Sequence, residues 1–65
     1  MSATNIRLRR DIMSAARMVA YWSARAGGWA LREEWSDCGR CVALAELEYD
    51  FLQQLLQSHY QEITP

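Results

Sequence analysis

Lysine is absent from this chain of 65 residues, and proline, histidine and phenylalanine each occur once. Seven arginines carry all the fixed positive charge. Proline and glycine are too sparse for a linker, a collagen-like repeat or a turn-rich all-β domain, and there is no low-complexity tract. No apolar run approaches the roughly 18–20 residues of a membrane span. Met1-Ser2-Ala3-Thr4-Asn5 lacks the apolar core of a secretion signal. These absences predict a soluble, cytoplasmic chain that does not enter the membrane. Glycine-rich phosphate loops, His-Glu-x-x-His and Gly-x-Ser-x-Gly are all missing. A core this small rarely contributes more than about 3–5 kcal/mol without a staple or a partner, and it cannot wall off a deep pocket. The expectation is a single non-enzymatic domain spanning 1–65, with no cofactor and no metal.

What remains is 51% apolar and 23% charged, a folding composition. Charge is split along the chain. Residues 1–32 hold six arginines against Asp11; residues 33–65 hold Arg40 against seven acids. A basic half can meet nucleic acid, or it can lie against the acidic half within one chain or between two. The two cysteines form one Cys38-Gly39-Arg40-Cys41 unit. Two thiols and a distant His59 fall short of the four ligands of a structural zinc site. Small packed thiols are the favoured reading, with a metal shared across a dimer or a redox pair as the alternatives.

Hydrophobic periodicity predicts helices. Leu8, Ile12, Ala15, Val19, Trp22 and Ala26 follow steps of 4, 3, 4, 3, 4. Ser2 or Thr4 is the candidate cap, and Gly27-Gly28 is the expected stop, giving a helix over about 4–26. A second seam runs Leu31, Trp35, Cys38, Val42, Ala45, Tyr49, Leu52, Leu56, His59, Ile63 in the same alternation. It predicts one helix over about 29–63, passing through Gly39, with a break near 37–40 as the alternative. The expected fold is all-α: an antiparallel two-helix hairpin.

The second helix carries a further apolar stripe in Leu44, Leu47, Phe51 and Leu55. A first helix of about 23 residues would also leave the tail beyond residue 51 bare. Both points predict a homodimeric four-helix bundle with Leu44, Leu47, Phe51, Leu52, Leu55, Leu56, His59 and Ile63 at the dimer interface. The expected core is Ile12, Val19, Leu44, Leu47, Phe51, Leu52 and Leu55. Glu48 falls among these stripes and is expected to reach an arginine of the first helix or solvent.

Three tryptophans and three tyrosines in 65 residues point to binding, because Trp, Tyr and Arg dominate interface hot spots. Tyr21, Trp22, Arg25, Trp29, Arg32 and Trp35 cluster around the expected hairpin tip and are the candidate surface for a partner protein. Arg7, Arg10 and Arg17, at spacings of 3 and 7 on one helical face, are the candidate nucleic-acid surface of the alternative reading. A hairpin of this length, rich in Trp and with a self-pairing second helix, resembles in architecture the small helical-hairpin inhibitors that bacteriophages make early in infection, among them the quorum-sensing anti-activators. That resemblance implies a dimeric inhibitor or adaptor acting on a host protein such as a transcription regulator. It assigns no site residue.

Overall fold

A computed structural model describes residues 3–63, with side chains for residues 6–61. It is an antiparallel hairpin of two helices, α1 (Ala3–Leu31) and α2 (Trp35–Ile63), joined by residues 32–34. Each helix has 29 residues, about 43 Å at 1.5 Å per residue. The molecule is correspondingly long, with axes of 48 × 15 × 11 Å.

The turn is not where the glycines are. Gly27 and Gly28 lie inside α1, and neither has a positive φ. Apolar spacing carries α1 past them, because Trp29 and Ala30 continue the seam of Trp22 and Ala26 and are half-buried. The chain reverses at Arg32-Glu33-Glu34. The Glu34 N–H donates to the Trp29 carbonyl (3.0 Å), and the Glu33 N–H donates to the Ala30 carbonyl (3.0 Å). Together these form a Schellman closure of α1. It requires a left-handed residue at Glu33, whose φ is 58°. Glycine normally fills that position at no steric cost. Glu34 then opens α2, accepting from the Cys38 N–H at 2.9 Å, and Asp37 stands in the first turn of α2, where the helix dipole favours an acid. The helix therefore begins before Ser36 and Asp37 and runs unbroken through Gly39. At the other end, Thr4 falls inside α1, and Ser2 lies outside the described residues.

Moving the turn changes the length argument. The expected mismatch of 23 against 35 residues becomes two helices of equal length, so α1 covers α2 nearly to its end. Of the tail expected to be bare, Leu52, Leu55 and Leu56 are half-buried against α1, whereas Tyr60 is 62% exposed. Leu31, expected to open the second helix, instead ends the first and stands 89% exposed.

The seam is built on small residues. Among the described residues Ala15, Ala26 and Cys41 are the buried apolar ones, and no large side chain is fully enclosed. Around them α1 contributes Leu8, Ile12, Met18, Val19 and Trp22, all half-buried. On α2 the half-buried stripe is Cys38, Leu44, Ala45, Glu48, Leu52, Leu55, Leu56 and His59. The expected core is realised at Ile12, Val19, Leu44, Leu52 and Leu55 as half-buried positions, but Leu47 and Phe51 are exposed. Val42 and Tyr49, expected in the seam, lie at its edge and are exposed, and Cys41 and Glu48 take their places.

A side chain at left-handed φ costs about 1–2 kcal/mol relative to glycine. A Cβ added at Gly39 meets nothing within 4 Å, so alanine there recovers helix propensity worth about 1 kcal/mol. Glu33→Gly and Gly39→Ala are each expected to raise the melting temperature by about 4–8 °C, read by circular dichroism at one fixed chain concentration. A lower melting temperature for Glu33→Gly contradicts the turn described here.

Candidate binding surfaces

The structure sorts the aromatic and arginine candidates by side. The Tyr21 and Trp22 rings meet edge-on, with centroids 4.9 Å apart and planes at 74°. Trp22 turns into the seam and Tyr21 stays exposed. The Arg25 guanidinium lies 5.6 Å from the Tyr21 ring centre, and its Nη1 donates to the Tyr21 hydroxyl at 3.4 Å. The Arg32 guanidinium lies 5.7 Å from the Trp29 ring. Both pairs have cation–π geometry. Arg25, Gly28, Trp29 and Arg32 line a shallow open cleft of about 350 Å³, floored where Gly28 has no side chain. Five of the six candidates thus lie together on one side of the hairpin tip. Trp35 is 66% exposed at the same tip, but at about 100° per residue its position on α2 places it on the other side.

Arg7, Arg10 and Arg17 are all exposed. With Arg25 they fall within about 80° of the α1 circumference, on the part turned away from α2. Arg32 extends the row to the turn. The nucleic-acid candidates and the tip candidates therefore form one arginine stripe, about 37 Å long from Arg7 to Arg32. Arg7, Arg10, Arg17, Arg25 and Arg32 make no ion pair among the described residues. The ion pair seen there is Arg40 with Asp37, 3.8 Å apart within α2 and exposed to solvent. The charge split along the chain is accordingly not neutralised by these five arginines lying on the acids of α2.

The dimer candidates divide as well. Leu44, Leu52, Leu55, Leu56 and His59 contribute to the seam within the chain. Leu47 and Phe51 face outward on the side that also carries Leu44, Trp22 and Arg40. Ile63 lies at the last helical position, and its side chain is outside the described set. The other side of the hairpin carries a cleft of about 330 Å³ between the helices, lined by Val19, Ser23, Ala26, Val42, Ala45 and Tyr49, with Glu46 at its rim. Of the interface candidates read from the sequence, Trp35 and Leu56 fall on this side, but Val42 and Tyr49 were assigned to the seam within the chain. The signal of this side was the strict seven-residue recurrence of Val42, Tyr49 and Leu56.

Cys38 and Cys41 are free thiols, half-buried and buried. Cys41 is part of the small-residue core, and His59 lies about 27 Å further along the helix from it. Among the described residues no three His, Cys, Asp or Glu side chains come together as metal ligands, and no helix is long and apolar enough to cross a membrane. Two polar groups in the seam lack partners. The Nδ1 atom of His59 is buried without a hydrogen bond. Glu48 sits half-buried at the centre of the seam, with no hydrogen bond or ion pair among the described residues. No arginine of α1 reaches it, and its carboxylate oxygens are not among the buried unpartnered atoms, so of the two expected outcomes solvent is the one found. Comparison with family models, with curated proteins and with solved structures returns no match to this chain.

A carboxylate that turns to solvent from the centre of the seam forgoes the apolar burial that a leucine there would add. Glu48→Leu is expected to stabilise the hairpin by about 1–2 kcal/mol, measured by urea unfolding. A loss of stability assigns Glu48 a structural partner absent from this picture.

Proposed function

We propose that this chain is a non-enzymatic, protein-binding regulator that works in the cytoplasm as a homodimeric four-helix bundle. Its mechanism is steric: a rigid hairpin presents its tip to a host protein such as a transcription regulator and blocks a surface on it. The observation that carries this reading is the exposure at the tip. Leu31 at 89% and Trp35 at 66% stand open at the same end of the hairpin as the Trp29–Arg32 pair, which lies on its other side, and monomeric proteins seldom leave such large side chains in water at one end without a partner for them. Aromatic and arginine side chains at one place are the composition of an interface anchor. The clefts are shallow and open, which suits docking more than enclosed chemistry. The architectural resemblance to small phage inhibitors supports the same reading.

The test is capture from a host lysate with the immobilised full chain, using Leu31→Ser and Trp35→Ala. Both residues are exposed, so the variants keep the helical circular dichroism of the parent. Loss of a specific protein band captured by the parent is the expected result. Identical bands from parent and variants place binding elsewhere.

A second reading has a specific observation in its favour. Phosphate binding needs arginines that are not engaged by carboxylates, and Arg7, Arg10, Arg17, Arg25 and Arg32 make no ion pair among the described residues. Affinity for labelled RNA or DNA would then fall with salt as counterions are released. Arg10→Gln with Arg17→Gln is expected to weaken binding and lower the slope of log affinity against log salt by about 2. Anisotropy that stays flat with parent protein at low salt removes this reading.

A further inference from the structure

The hairpin exposes 5171 Å², about 900 Å² more than the ~4,250 Å² expected for a compact monomer of 7.5 kDa. A stable interface of standard size takes about 800 Å² from each partner. The surplus is therefore about what one self-interface removes. The question is which of the two open sides of the hairpin supplies it.

The two sides differ in charge. The Leu47–Phe51 side also carries Arg7, Asp11, Arg25 and Arg40, and enclosing it against a copy would strip water from all four. The cleft side has Val42, Tyr49 and Trp35 exposed along α2, with Leu56 half-buried behind them. On α1 the same side shows Ala16, Ala20, Ser23 and Gly27. Charge is confined to its margins, at Glu46 and Arg9. Large rings on one helix and small residues on the other make the side self-complementary when each α2 lies over the partner's α1. Long-range charge favours the same register. α1 has five arginines against Asp11, and α2 has Arg40 against five acids, so opposite helices attract and like helices repel.

We propose that the cleft side is the surface on which a second copy of this chain docks, with Tyr49 and Val42 of each copy seated over the Ala16–Ala20 stretch of its partner. This deepens the homodimer proposed above and rests on it. It moves the self-interface off Leu47 and Phe51, and it leaves both arginine stripes facing outward.

The experiment places a photo-reactive benzoylphenylalanine at Tyr49 or at Phe51 in the full chain, positions already aromatic and exposed. The readouts are light-scattering mass, a gel and peptide mapping. A covalent dimer from position 49, mapped to the partner's α1 peptide, is the expected result, with Tyr49→Glu reducing the mass to one chain at micromolar concentration. A covalent dimer from position 51 and none from position 49 overturns the assigned side but leaves a dimer standing. A single-chain mass at all concentrations, with no cross-link from either position, overturns the side and the dimer together.

Discussion

The hairpin depends on how closely two helices of equal length can approach. Ala15, Ala26 and Cys41 are the residues the seam encloses, and their small volume sets the approach. A helix pair that close buries side chains only along one stripe of each partner, so the larger residues flanking that stripe are covered on one face and left open on the other. This is why Ile12, Val19, Leu44 and Leu52 are half-buried and why no large side chain is enclosed. Two layers are the minimum for a core, and here each layer is a single helix. Everything outward of the seam follows from that shortage of cover.

The α1 stripe was legible in the sequence. Leu8, Ile12, Ala15, Val19, Trp22 and Ala26 all reach the seam, because α1 has one sustained apolar period, and its other large apolar residues, Ile6, Met13, Tyr21 and Leu31, are exposed. α2 has two. The stripe through Val42 and Tyr49 and the stripe through Leu44 and Leu47 lie on either flank of the true seam, which runs between them through Cys41, Glu48 and Leu55. A period shows that a face is apolar; it does not show which neighbour covers it. The central stripe was hidden further by Glu48, whose charge argues against burial.

The turn was illegible for a different reason. Gly27-Gly28 is the strongest breaker in the chain, yet no close approach or positive φ requires either glycine. The reversal falls instead on Glu33, a residue type that disfavours left-handed φ. The seam determines this choice. Stopping α1 at Ala26 would forfeit the half-buried Trp29 and Ala30, and each large apolar side chain withdrawn from water is worth about 1.5–3 kcal/mol. That exceeds the strain of one left-handed residue, so tertiary packing overrides the local signal. Tyr21, Trp22, Arg25, Trp29 and Arg32 fall on one side of the tip, and Trp35 falls on the other because the turn lies six residues further along the chain than the glycines suggest.

The self-docking surface proposed above and the arginine stripe are separate, apart from Trp35 at the shared tip, and the separation has a physical origin. The cleft side is nearly uncharged and can be dried at little cost. The arginine stripe is strongly solvated, and guanidinium groups laid over Tyr21 and Trp29 are already ordered, so less freedom is lost when a planar anion meets them. Covering the first surface with a second copy leaves the second unchanged and duplicates it. A ligand spanning both copies then gains the effective concentration of a linked pair without a new contact. On the proposed dimer, a chain too thin to enclose a pocket would present a long, doubled surface, with its arginines on the sides that the second copy leaves open.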